Sequence, residues 1–289
     1  MKKLILAGAL VILGTVATAV WAEPPASQPA KELSIDLGNK VTLKLVQIPA
    51  GTFLMGSPKD EKDRGDDKGL PPSQWENGNP QIEVTISKPF YLGVTQVTVD
   101  QYAQFAKDTG QKHEEPGFKQ TGDHPVVNVS WDDAQAFCTW SSKKTGKTVV
   151  LPTEAQWEYA CRAGTKTRFS FGDNDADLGD YAWIYGNSTD QATGVRMTHP
   201  VAQKKPNAWG LYDMHGNVWQ WCSDWYGDYP AGEVTDPTGP KDGSLRVLRG
   251  GSWRNHPLNC RSACRGWHGP DGRYDSLGFR VVVLAVGAD

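Results

Sequence analysis

Twelve tryptophans among 31 glycines, in a chain of 289 residues, set the tightest limit on what this sequence can fold into. An indole is a large ring, and its N–H needs an acceptor once buried. Glycines at this density interrupt helices and favour turns. Together they point to a loop-rich fold whose core is filled by rings on short elements rather than by long helices. From Arg162 to the end only short strands are legible, Arg246 to Leu248 and Phe279 to Leu284, set among Gly and Pro turns.

Three helices are predicted before that point. Ser130 is an N-cap with Asp133 at N3, and Ala134, Phe137, Cys138 and Trp140 follow at helical spacing. Thr153-Glu154-Ala155-Gln156 is a capping box that opens a helix through Cys161, closed by Gly164. Val99 to Lys107 is the third, capped by Thr98 or Asp100. Leu33 to Pro49 alternates as a strand or hairpin, and Ile82 to Leu92 reads as a strand. Pro58 to Pro80 is charged and rich in Gly, Pro and Asn, which makes it a long surface loop. The class is α+β, and 38% hydrophobic residues are enough for a sizeable core.

Lys2 and Lys3 precede an uncharged, mostly apolar run from Leu4 to Val20. Val20-Trp21-Ala22 places small residues at the two positions a signal peptidase reads, and Glu23, Pro24 and Pro25 follow. The expected organisation is a signal peptide over residues 1–22, a flexible tether over 23–32 and one domain over 33–289. The apolar run is about 17 residues, at the lower limit of a membrane span, so an uncleaved segment is the one expected route to a membrane. An exported chain, periplasmic or extracellular, can form disulfides, but five cysteines leave at least one unpaired within the chain. A net charge of −3, with no basic run longer than Lys204-Lys205, gives no footprint for nucleic acid.

Six blocks, in order, carry a resemblance. They are IPAGTFLMGS (Ile48 to Ser57), PVVNVSWDDAQAFC (Pro125 to Cys138), LPTEAQWEYACRAGT (Leu151 to Thr165), NAWGLYDMHGNVWQWCSDWY (Asn207 to Tyr226), LRGGSW (Leu248 to Trp253) and LGFRV (Leu277 to Val281). In these the chain resembles the formylglycine-generating enzyme, or sulfatase-modifying factor, family over about Leu33 to Leu284. The resemblance implies a variant of the C-type lectin fold with little regular structure. Taken without it, the tryptophans of these blocks read as core rings bonded to backbone carbonyls, and Arg249 and Arg280 as arginines buried against carboxylates.

Family members oxidise a sulfatase cysteine to formylglycine with molecular oxygen, holding copper(I) between two thiolates, which are soft ligands suited to that ion. The resemblance places the first of these cysteines three residues after Ser252, where Asn255 stands, and the second five further on, at Cys260. Counted back from Gly278-Phe279-Arg280, Cys260 instead matches a family cysteine that forms a disulfide with the one matching Cys161, and Cys161–Cys260 is the pairing favoured here. On either count one copper ligand is missing, so copper is not expected, and Ser252 and Cys260 are catalytic candidates only under an oxidase reading. His256, Cys260 and Cys264 would share a helix face, but Pro257, Gly266 and Pro270 argue against that helix.

The resemblance also implies a calcium site, with ligands mapping to the Asp213 side chain, the carbonyls of Gly216 and Val218, and the Gln220 side chain. All are oxygens and one is charged, which suits calcium. The functional expectation is an envelope binding module for a peptide, protein or glycan, with a groove lined by Trp219, Trp253, Trp267 and Tyr274. The alternatives are a metal-dependent oxidase acting on a sulfatase cysteine, or another periplasmic oxidative-tailoring enzyme.

Overall fold

The computed structural model describes residues 31–59, 61, 75–76 and 81–285. The expected signal peptide, nearly all of the tether and most of the 58–80 loop lie outside the described residues. Strands β1 (Glu32–Gly38) and β2 (Val41–Ile48) form the expected hairpin. Alternation buries Ile35 and Leu37 on one arm, Leu43 and Leu45 on the other. The turn between them runs through Gly38, Asn39 and Lys40, all at positive φ.

This hairpin is one edge of a sheet ordered β1-β2-β6-β13-β7, completed by β6 (Phe90–Gly93), β13 (Val282–Leu284) and β7 (Val149–Val150). A second sheet is ordered β12-β8-β10-β11-β4, from β12 (Leu277–Phe279), β8 (Trp219–Trp225), β10 (Arg246–Arg249), β11 (Arg265–His268) and β4 (Trp75–Glu76). A third joins β3 (Gly51–Met55), β5 (Ile82–Ile86) and β9 (Val234–Thr235). Two segments expected as single strands are therefore split between sheets. Pro89 breaks 82–92, because its missing N–H cannot continue the ladder. Arg280 and Val281 carry the chain from the second sheet to the first.

All three helices form. Helix α1 (Val99–Thr109) is capped by Thr98, α2 (Trp131–Thr145) by Ser130 and α3 (Glu154–Arg162) by Thr153, each with a capping box. The left-handed cap of α3 is Ala163 (φ 47°), one residue ahead of Gly164. Beyond it one short helix follows, α4 (Leu178–Tyr181). Tyr102, Phe105 and Phe137 of α1 and α2 meet Phe279 of β12 in a ring cluster, with Phe137 5.3 Å from Phe279. Burying rings of this size supplies roughly 2–3 kcal/mol each.

Helix α3 lies against β3, β8 and β10 with its carboxylates turned inward. Glu158, fully buried, accepts from the backbone N–H of Gly56 and from Arg162 Nε (2.8 Å), and pairs with Arg249. Glu154 pairs with Arg265 at 2.6 Å. Arg249 thus meets carboxylates as expected, but Arg280 does not. Its guanidinium donates to Gln220 Oε1 and to the carbonyls of Gly93 and Tyr212. The indoles also divide: Trp131 and Trp221 donate to the carbonyls of Cys222 and Val129, whereas Trp157 and Trp219 donate to side-chain oxygens.

Candidate functional site

Strand β10 ends in Gly250 and Gly251, both at positive φ (97° and 72°). Neither tolerates a side chain: a Cβ on Gly250 would lie 3.0 Å from the Trp157 ring and one on Gly251 would lie 2.5 Å from Cys260 Sγ. This double turn sends Ser252 back beneath β8. There the Ser252 hydroxyl donates to Asn255 Oδ1 at 2.6 Å, and the Trp219 indole donates to the same oxygen at 2.9 Å. The Asn255 N–H closes the loop onto the Ser252 carbonyl at 2.9 Å. Asn255 is thus held by its side chain and its backbone at once.

No thiol stands beside it at the surface. All five cysteines are unbonded and buried. The expected Cys161–Cys260 bridge is not formed in this structure, and His215 touches both residues. Its ring lies against Cys161 Sγ (3.7 Å to Nε2) and bonds the Cys260 carbonyl through Nδ1 (2.7 Å). Cys260 Sγ packs instead toward the Gly251 backbone. Burial pushes the Cys161 thiol up to about 12 and raises Cys260, Cys264, Cys222 and Cys138 as well, so each is held as a neutral thiol. Residues 257–260 form a 3-10 turn, so His256, Cys260 and Cys264 do not share a helix face, and no cluster of three metal-ligating side chains occurs among the described residues.

An open groove of about 470 Å³ lies on the outer side of this loop. Arg254, Arg273, Tyr274 and Asp275 line it together with Glu114 and Glu115. Arg273 is pinned by Asp133, the N3 residue of α2, at 2.8 Å. Arg254 pairs with Asp275 and lies over the Trp253 ring. Tyr274 is 47% exposed and its hydroxyl meets His268 Nε2 at 2.6 Å. Of the four expected groove residues, the structure brings Tyr274 to the groove. Trp253 is buried behind it, its indole donating to the Asp275 carbonyl. Trp219 is buried beneath Asn255, and Trp267 is half-buried on β11 near Tyr226. The indoles expected to line the groove are buried or set on β11, and the exposed chemistry is charged. Arg254, Arg273, Asp275, Glu114 and Glu115 carried no pattern in the sequence that separates them from ordinary surface charges.

Of the four expected calcium ligands, the structure brings the Gly216 and Val218 carbonyls to one point, but not the Asp213 carboxylate or the Gln220 oxygen. The carbonyls of Asp213, Gly216 and Val218 converge on one point, which the side-chain nitrogen of Gln96 fills at 3.1–3.3 Å. One oxygen of the Asp213 carboxylate accepts from the Ala202 N–H at 2.9 Å, and the other, Oδ1, is buried without a hydrogen-bond partner among the described residues. Buried there, the carboxylate has its pKa raised to about 6. Gln220 donates to the Asp213 carbonyl, and its oxygen accepts from Trp157 (2.9 Å) and Arg280 (2.6 Å).

Residues 36–285 match the model of the sulfatase-modifying factor enzyme 1-like domain. Formylglycine-generating enzyme of Bos taurus is 42% identical over 55% of this chain, which spans 43% of that protein. The enzyme of the same name from Streptomyces coelicolor is 31% identical, covering 91% of this chain and 93% of its own. A bovine protein named inactive C-alpha-formylglycine-generating enzyme 2 is 29% identical over 85% of the chain and 90% of its own length. Among solved structures, PvdO from Pseudomonas aeruginosa superposes with a TM-score of 0.74 at 31% identity, covering 90% of this chain and all of that one. Treponema denticola variable protein 1 follows with 0.71 at 28% identity, covering 88% and 99%. The fold is the expected lectin-like variant with little regular structure.

Proposed function

This chain belongs to the sulfatase-modifying factor enzyme 1-like family, and from that premise we propose that it is a non-catalytic binding member working in the cell envelope, which takes a peptide or glycan in the groove beside Asn255. The observation that carries this reading is the state of Asn255. At the position where the resemblance puts a copper thiolate, an amide oxygen accepts two hydrogen bonds and offers a soft metal nothing. The second thiolate is equally out of reach, because Cys260 is fully buried against Gly251 and its thiol is held neutral by burial. The groove itself supplies what recognition needs: two guanidiniums, an exposed tyrosine and two glutamates among its lining residues. A relative carrying the word inactive in its name supports a non-catalytic reading.

An oxidase reading rests on the relatives named formylglycine-generating enzyme. One experiment separates the two. The mature protein is incubated with copper(I), oxygen and a cysteine-bearing sulfatase peptide, and the peptide is followed by mass spectrometry. The expected result is no conversion of the cysteine to formylglycine. Conversion above the protein-free control overturns the proposal.

A further inference from the structure

Residues Asp213, Gly216 and Asn217 all adopt positive φ (54°, 92° and 61°), in a loop whose carbonyls at 213, 216 and 218 are aimed at a single point. Carbonyls so aimed repel one another and need a donor or a cation between them. In this chain the donor is Gln96, a fully buried residue just beyond β6, whose Nε2 reaches the carbonyls of Asp213 (3.2 Å), Gly216 (3.3 Å) and Val218 (3.1 Å). Its own oxygen finds no donor among the described residues. The orientation of the amide is therefore set from the carbonyl side: reversing it would bring four oxygens together.

The donor set does not fit a divalent cation. Calcium takes about six to eight oxygens, from carboxylates, amides, backbone carbonyls or water, and the point where these carbonyls meet already holds the Gln96 nitrogen. Here one Asp213 carboxylate oxygen is taken by the Ala202 N–H, its Oδ1 is buried without a hydrogen-bond partner among the described residues, and the two side chains that reach the Asp213 carbonyl, Gln96 and Gln220, are neutral amides with their nitrogens turned to it. Gln220 Oε1 is already engaged by Trp157 and Arg280. Arg280, fully buried, also brings its guanidinium to 3.4 Å from the Asp213 carbonyl, so a cation in the loop would face a fixed positive charge.

We propose that the side-chain amides of Gln96 and Gln220 take the place of a calcium ion in the 213–218 loop, so that this chain holds its fold without the metal its family resemblance implies. The loop is an internally closed site: two amide nitrogens do by hydrogen bonding what a cation does by coordination. Exchanging both amides for carboxylates should reopen it.

The test is thermal unfolding of the purified protein in excess chelator and in millimolar calcium, with elemental analysis of the dialysed protein. The wild type is expected to melt within about 1 °C in the two conditions and to carry no stoichiometric calcium. The double variant Gln96→Glu, Gln220→Glu is expected to melt lower in chelator and to gain about 5 °C or more in calcium. If that variant does not fold, Gln96→Met replaces it, and an equal loss of stability in both conditions is expected. Wild-type protein that melts lower in chelator, carries bound calcium, or yields a Gln96→Met variant rescued by calcium overturns the proposal.

Discussion

The Trp219 indole nitrogen lies 2.9 Å from Asn255 Oδ1, joining a buried ring of the second sheet to the loop that borders the groove. That single acceptor also takes the Ser252 hydroxyl. Replacing Asn255 by alanine strands both donors, one of them on a ring that is 3% exposed. The expected cost is about 1–3 kcal/mol, read from urea unfolding. A neutral result would mean that water serves both donors.

Glu158 is the hub of the buried charge network, touching Arg162, Arg249 and the Gly56 N–H. Glu158→Gln keeps the shape and removes the carboxylate that, among the described residues, pairs with both guanidiniums. The expected loss is about 3–5 kcal/mol, because two buried cations are left undercompensated. Urea unfolding checks it, and a loss below about 1 kcal/mol would contradict the network's role.

Asp224 gives a pH dependence whose sign can be worked out. Burial, then the charge of Glu154, raises its pKa from 3.8 to about 7. The folded state therefore holds a proton that the unfolded chain releases near pH 4. The resulting stabilisation is full below about pH 4 and lost as pH rises through about 7. His215 runs the other way: burial lowers it from 6.5 to about 4, so its contribution is present above about 6.5 and lost as pH falls through about 4. Unfolding midpoints of the wild type and of Asp224→Asn, measured at about pH 4.5 and about pH 8, isolate the first effect. The wild type should lose ground against the variant at the higher pH, and parallel behaviour would refute the assignment.

Gly251→Ala meets two obstacles, a φ of 72° and a contact of 2.5 Å with Cys260 Sγ. A drop of about 2–4 kcal/mol is expected, seen as a lower melting temperature or a loss of soluble protein.

The groove should behave in the opposite manner. Arg254 and Asp275 are a part-exposed pair, with side chains 55% and 27% accessible, and such pairs contribute little to stability. Arg254→Ala and Tyr274→Ala are expected to change stability by less than about 0.5 kcal/mol. Both should weaken capture of a charged peptide or glycan, measured by calorimetry with a defined panel. Unchanged binding by every ligand that the wild type holds would move the site elsewhere.

Sequence signals were strongest where a local rule decides the structure. Thr98, Ser130 and Thr153 each announced a helix start, since a capping box needs two side chains three residues apart and nothing else. The hairpin at Leu33 to Pro49 followed from alternation. What failed to show was decided at long range. Nothing local says that 277–279 and 282–284 belong to different sheets, or that His215 comes between the Cys161 side chain and Cys260. Gln96 is the sharpest case. It stands 117 residues from Asp213, and in the sequence it is one polar residue among valines and threonines. Its partners are backbone carbonyls, which leave no mark in a sequence.

The path of the chain through Arg280 and Val281 has a temporal meaning. Strand β12 pairs with β8 in the second sheet, and three residues later β13 enters the first sheet between β6 and β7. Both sheets thus wait for the same short stretch, 277–284, before either is complete. A polypeptide emerging from a ribosome or a translocation pore could pack the β1–β2 hairpin against α1, α2 and β6 early, but could not complete either sheet until this stretch arrived. Loss of those eight residues would leave two sheets incomplete at once.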